Sequence, residues 1–256
     1  MPVPFLAELN PFDFSWLADP EAWIALLTLT IMEIVLGIDN IVFISILVDK
    51  VPETARPRAR FLGLGFAMIT RILLLLSISW VMQLKEPWFT VIGREISGKD
   101  FILIAGGLFL LYKSTKEIHH KIEGDPEGDI ERAGRGSSLT GILIQIAVLD
   151  LVFSLDSVIT AVGMAEHISV MILAVMISVG FMMIFAGSVS SFISKHPTVK
   201  MLALSFLMLI GTALVGEGLH FHIPKGYVYF AMAFSIFVEM LNIRASKKKK
   251  AAAAGS

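Results

Sequence analysis

Carboxylates inside apolar segments are the residues of this chain with the most chemistry to offer. Glu33 and Asp39 sit in EIVLGIDNIVFIS, and Asp150 and Asp156 sit in DLVFSLDSVITAV. A constant offset of 117 residues matches Glu33 to Asp150, Asp39 to Asp156, Asn40 to Ser157 and Val35 to Val152. Chance similarity between apolar stretches is common, but matched acids within them are not. A charge at the centre of a membrane helix costs about 2.5–3.5 kcal/mol on insertion scales, so such acids pair, relay protons or coordinate cations. The plainer alternative is interhelical glue, with a carboxylate bonded to Arg71 or to a hydroxyl purely for packing. Carboxylate, amide and hydroxyl oxygens without sulfur make a hard site suited to Mg²⁺, Ca²⁺ or Mn²⁺. Zinc or copper would usually call for His or Cys.

Helical geometry limits how these acids work together. Positions six apart differ by about 120° around a helix and by about 9 Å along it. Glu33 and Asp39 therefore cannot grip one ion from a straight helix. Glu33 and Asn40 share a face, with Gly37 between them, and Asp150, Ser154 and Ser157 repeat that stripe. Either the helix breaks near Gly37 or the acids serve different steps of a path. Arg71, in AMITRILLLL, reads as a counter-ion for one acid or as a snorkelling side chain. Glu239 and Asn242, in FSIFVEMLNIR, either add ligands to the site or face the bundle interior. Gln145 reads as helix glue. All six histidines fall in expected loops or at interfaces, and the pair His220 and His222 reads as exposed rather than metal-binding.

The elements that must carry these residues follow from composition. Of 256 residues, 55% are hydrophobic and 17% charged, against roughly a quarter charged in a soluble domain. With no cysteine, disulfides, thiolate metal sites and cysteine nucleophiles are excluded. No basic stretch precedes an apolar core at the N-terminus, so no cleaved signal peptide is expected. Long apolar runs at Ala22–Leu47, Leu62–Met82, Gly141–Met164, Val170–Phe192 and Tyr227–Ile243 read as membrane spans. Two shorter runs, Phe101–Tyr112 and Met201–Gly216, bring the count to seven.

Charge supports that count. With the acidic N-terminus outside, the inner segments collect sixteen basic residues, among them Arg56, Arg58, Arg60, Lys113, Lys116, Lys195, Lys200 and Arg244. The outer segments hold four: Lys85, Arg94, Lys99 and Lys225. That is a clear positive-inside bias, and it places the C-terminus in the cytoplasm.

The expected fold is thus an all-α, polytopic membrane bundle of seven helices. Residues 1–21 form an extracytoplasmic segment, 22–118 a first three-helix repeat and 119–138 a polar cytoplasmic linker. A second three-helix repeat follows at 139–218, then the seventh helix at 219–245. Residues 246–256 form a basic cytoplasmic tail whose AAAAGS end reads as an appended sequence. Three spans per repeat is an odd number, so the second half enters the membrane in the opposite sense. Such inverted repeats are a recurring plan of secondary transporters, with the site near the midplane. No P-loop, Gly-x-Ser-x-Gly elbow or HExxH is present, and an enzyme is not expected.

EIVLGIDNIVF, DLVFSLDSVITAVG and the terminal YFAMAFSIFVEMLNIR resemble the TerC (tellurium-resistance) family of bacterial inner-membrane proteins, in particular its YgdQ-like branch. The likeness runs from Asp19 to Arg244; the N-terminal PVPFLAELNPFDFSW and the poly-Lys tail depart from it without touching a motif. It implies manganese efflux, metal-ion homeostasis and tellurite resistance as the field of action. The family's motif acids fall on Glu33, Asp39, Asp150 and Asp156, with Asn40 and Ser157 beside them. The expected function is export of a divalent cation, Mn²⁺ first and Ca²⁺ or Mg²⁺ after it, as transported substrate with no cofactor. A non-transporting membrane scaffold that assists metal loading or assembly is the alternative. The expected partners are the metal ion and the lipid bilayer, with no nucleic acid; a homo-oligomer is compatible with the sequence.

Overall fold

The computed structural model describes residues 13–49, 51–91, 94–124, 139–165, 167–221 and 223–254. Helix α1 (Pro20–Val48) opens on Asp19, whose side chain accepts from the Glu21 N–H, with Pro20 in the first turn. Both are standard helix-start features. The helix runs unbroken through Gly37 for 29 residues, about 1.5 Å per residue. The break offered as one option near Gly37 is therefore absent. Where a side chain at Gly37 would sit, the Met182 thioether fills the space.

Helix α2 (Arg56–Leu76) ends earlier than the apolar run through Met82 suggested. The Ser77 hydroxyl donates to the Leu73 carbonyl at 2.7 Å, a local bond that competes with continued helix. A short α3 (Ile78–Gln83) follows. Strands β1 (Pro87–Val91) and β2 (Arg94–Ser97) then pair antiparallel, a small hairpin within a chain that is otherwise helical, in keeping with the all-α expectation. PWFTV and REIS carry β-branched and aromatic residues that suit a hairpin. Helix α4 (Gly98–Glu123) starts on a Ser97–Asp100 capping box and takes in His119 and His120, which had been placed in a loop. Most of the linker, residues 125–138, lies outside the described residues.

The second half runs through α5 (Leu139–Val162), α6 (Ile168–Lys195) and α7 (Pro197–Gly218). Helix α8 (Lys225–Ala254) closes the chain. Among the described residues, six helices are long and apolar enough to cross a membrane: α1, Glu53–Leu76, α5, α6, α7 and Gly226–Ser246 of α8. The chain is thus a multi-pass helical membrane protein. Helix α4 is not among the six, because charges at Lys99, Asp100, Lys113, Lys116 and Glu117 bracket a short apolar run.

The polarity of the bundle fits lipid. Large apolar side chains such as Ile24, Leu27, Phe61, Leu73 and Ile184 are exposed, while Glu33, Asn40, Arg71, Asp150 and Ser154 are buried. In water an apolar surface of that extent would be a liability; in a bilayer it is the solvated face. Helix α1 packs along α6, α2 along both α5 and α6, and α4 along α7, while α8 rests mainly on α7. The α4–α7 crossing is tight. A Cβ on Gly107 would lie 2.6 Å from the Gly211 carbonyl oxygen, so only glycine permits the approach.

Candidate functional site

Three helices position the core polar cluster. Helix α1 supplies Glu33 and Asn40, α2 supplies Arg71, and α5 supplies Asp150, Ser154 and Ser157. Arg71 is 2% exposed, so snorkelling is ruled out in favour of the counter-ion role. It serves both acids rather than one. Its Nη1 pairs with Glu33, while Nε and Nη2 both donate to Asp150 Oδ1 at 3.2 and 3.1 Å. The planar, permanently charged fork of a guanidinium suits such a bridge in a way an ammonium does not.

Asp150 is further held on both oxygens. Asn40 Nδ2 donates to Oδ1 at 3.2 Å, and the Ser154 hydroxyl donates to Oδ2 at 3.2 Å. Ser157 donates to the Ser154 carbonyl at 3.2 Å. The two stripes expected from helical spacing, Glu33–Gly37–Asn40 and Asp150–Ser154–Ser157, are all buried. Asp39 and Asp156 lie on α1 and α5, but their side chains are outside the described ones.

Glu33 differs from Asp150 in what it faces. Together with Ser157, Thr160 and Tyr229, it lines a cavity of about 220 Å³ otherwise walled by apolar side chains including Leu29, Met32 and Leu36. Leu36 and Tyr229 also line a smaller cavity of about 70 Å³ that reaches Glu217 near the end of α7. Asp150 lines neither. One turn before Glu33, the buried Thr30 hydroxyl has no protein partner, an oxygen the sequence reading passed over.

Glu239 and Asn242 do not join the cluster. Glu239 is half-buried and Asn242 exposed on α8, where Glu239 bonds to Thr198 at the start of α7 and Asn242 reaches Glu239 at 3.5 Å. Gln145 donates to the Gly141 carbonyl of its own helix at 3.0 Å, so its bond is local rather than interhelical. Among the described residues, no three His, Asp or Glu side chains converge in a way that could hold a metal ion by themselves.

Sequence reasoning also missed two polar clusters at the helix ends. Asp49, after α1, accepts from Lys200 Nζ at 2.7 Å and from the Ser194 hydroxyl at 2.8 Å, with Arg56 Nη1 at 3.8 Å. It thereby joins the ends of α1, α2, α6 and α7. At the other end Asp100 contacts His220 at 3.1 Å and Lys99 pairs with Glu217 at 3.5 Å, joining the start of α4 to the end of α7. The available signal was only that each acid borders an apolar run; apart from Arg56, the partners lie more than a hundred residues away.

Comparison with known proteins places this arrangement. The chain is 59% identical over 237 residues to a UPF0053 protein of Haemophilus influenzae, covering 93% of this chain and all of that one. It is 55% identical over 235 residues to the UPF0053 inner membrane protein YgdQ of Escherichia coli, covering 92% and 98%. To the UPF0053 protein YegH of the same species it is 48% identical over 229 residues, which is 89% of this chain but 43% of the longer relative. No solved structure matches. The description "Integral membrane protein TerC family" fits residues 18–254. With nearly the whole length matched and inner-membrane relatives at this level of identity, the chain belongs to the TerC family of integral membrane proteins.

Proposed function

We propose that this protein moves a divalent cation across the inner membrane, Mn²⁺ in the first instance, as an exporter without a cofactor. One observation carries the reading: each half of the chain contributes a buried acid, Glu33 and Asp150, to a single charged cluster inside a membrane-spanning bundle. Intramembrane ionisable residues that converge in this way mark ion pathways. Asp39 and Asp156, on the same two helices, add charge to the path in this reading. No enzymatic chemistry is assigned.

The packing supports an inverted repeat of α1, α2 and α4 with α5, α6 and α7. Exchanging the triplets turns the α1–α6 contact into α5–α2, and leaves α4–α7 and α2–α6 as they are. Each of those contacts is present. Helix α4 then counts as a seventh span, because it lies along α7 with its start at the end of α7. The orientation that follows has the N-terminus outside and the C-terminus in the cytoplasm, in line with the positive-inside bias.

The test is Mn²⁺ uptake into proteoliposomes holding the purified protein. Saturable flux that disappears in Asp39→Asn and in Asp156→Asn, with melting temperatures unchanged, is the expected result. Normal flux in both variants would remove these acids from the path, and no flux from folded wild type would remove the transport reading. A scaffold that assists metal loading is the second reading. It is favoured by the same Arg71 bridge, since a fully paired carboxylate has fewer oxygens to offer a metal.

A further inference from the structure

The Arg71 bridge is unequal, and the inequality bears on how the site empties and fills. Asp150 accepts two bonds from Arg71, one from Asn40 and one from Ser154. It borders neither cavity. Glu33 takes one guanidinium nitrogen and lines the larger cavity. The fork thus gives two nitrogens to one acid and one to the other. Arg71 cannot lose its charge at any ordinary pH, so it behaves as a tethered monocation.

Resting on the transport reading above, we propose that Arg71 is a built-in competitor of the transported dication. It occupies Glu33 when the site is empty and is displaced from Glu33, while still held by Asp150, when the cation enters through the cavity.

Charge balance favours this exchange. The described cluster carries two negative charges and one positive. A dication that draws Glu33 away from Arg71 gains a full carboxylate, and Arg71 keeps the other. When the cation leaves, Arg71 returns, so Glu33 is never left bare in a low-dielectric core, where an unpaired charge is costly. The seat therefore always holds either cargo or guanidinium. Thr30, one turn before Glu33 on the same helix, carries a buried hydroxyl without a partner among the described residues, a neutral oxygen not committed elsewhere. Nothing equivalent exists in the second half: α6 carries no basic residue before Lys195.

Direct Mn²⁺ binding and Mn²⁺ flux, measured side by side on the purified protein in nanodiscs and proteoliposomes, test the idea. Arg71→Gln removes the competitor; it should bind Mn²⁺ at least 10-fold more tightly than wild type and show a larger Mn²⁺-induced rise in melting temperature. Its flux should fall at least 10-fold, because the site no longer empties readily. Arg71→Lys keeps the charge but loses the fork, and should bind a few-fold more tightly with intermediate flux; it decides the matter if the Gln variant does not fold. Adding Glu33→Gln to either variant should abolish the gain. Mn²⁺ binding equal to or weaker than wild type in the folded variants would overturn the competitor role while leaving transport standing. A wild type that neither binds nor moves Mn²⁺ would end both proposals.

Discussion

Glu33 in the first half and Asp150 in the second match at the constant sequence offset, yet they keep different company. Asp150 is bound on both oxygens by partners from three helices. Glu33 shares a guanidinium and looks into a cavity. The serine that steadies Asp150 one turn on, Ser154, has glycine at the matching place in the first half, Gly37, with Met182 packed against it. The matched pair therefore meets a single cation, and the packing holds one acid on both oxygens while the other faces a cavity.

The sharpest contrast that the proposed inverted repeat implies is the direction of the two halves in the membrane. The chain has no cysteine, so each introduced thiol is a lone reporter. Under the seven-span reading, Lys85→Cys should label with an impermeant maleimide from the periplasmic side, while Lys121→Cys should label only from the cytoplasm. If both label from one side, α4 does not cross and the inverted pairing of the halves fails.

Stability separates the two acids next. Asp150→Asn disturbs bonds from Arg71, Asn40 and Ser154, and should cost about 3–5 kcal/mol, the range for breaking a buried charged network. Glu33→Gln leaves Arg71 compensated by Asp150 and should cost about 1–2 kcal/mol, near the value of one charged hydrogen bond. Melting in detergent reads both, and equal losses would erase the distinction between held and exchangeable acid.

Smaller effects sharpen the same point. Gly37→Ser would give the first half the hydroxyl it lacks, at a cost of about 1–3 kcal/mol for overpacking against Met182. Adding Met182→Ala should recover part of that loss. Ser154→Ala should cost about 1 kcal/mol, through one lost hydrogen bond to Asp150. An unchanged melting temperature in Ser154→Ala would show that this hydroxyl does not steady the acid.

Much of this was legible in the residues themselves. The four acids, the apolar runs and the shared faces all follow from composition and helical spacing, and Arg71 reads from the sequence as a counter-ion or a snorkelling side chain, between which its burial decides. That one arginine serves two acids was not legible, since Glu33 and Asp150 approach it from positions 38 and 79 residues away. Spacing along one helix says which face a side chain takes, and nothing about which other helix meets it. The same limit hid Asp49, whose partners Ser194 and Lys200 are 145 and 151 residues distant. The hairpin was overlooked for another reason: a run of five residues is too short to register beside spans of twenty.

At the α4–α7 crossing, Gly107 and Gly211 bring two backbones into direct contact. No layer of side chains lies between them to slide, tilt or repack. The two helices therefore form a strut, and any rocking of the bundle must turn about it rather than through it. Under the transport proposal the movable joints are then the contacts of α1 with α6 and of α2 with α5, in which α1, α2 and α5 carry the buried charges. If the transport proposal holds, a bulky residue at Gly107 would loosen that fulcrum and lower flux without touching the proposed cation seat.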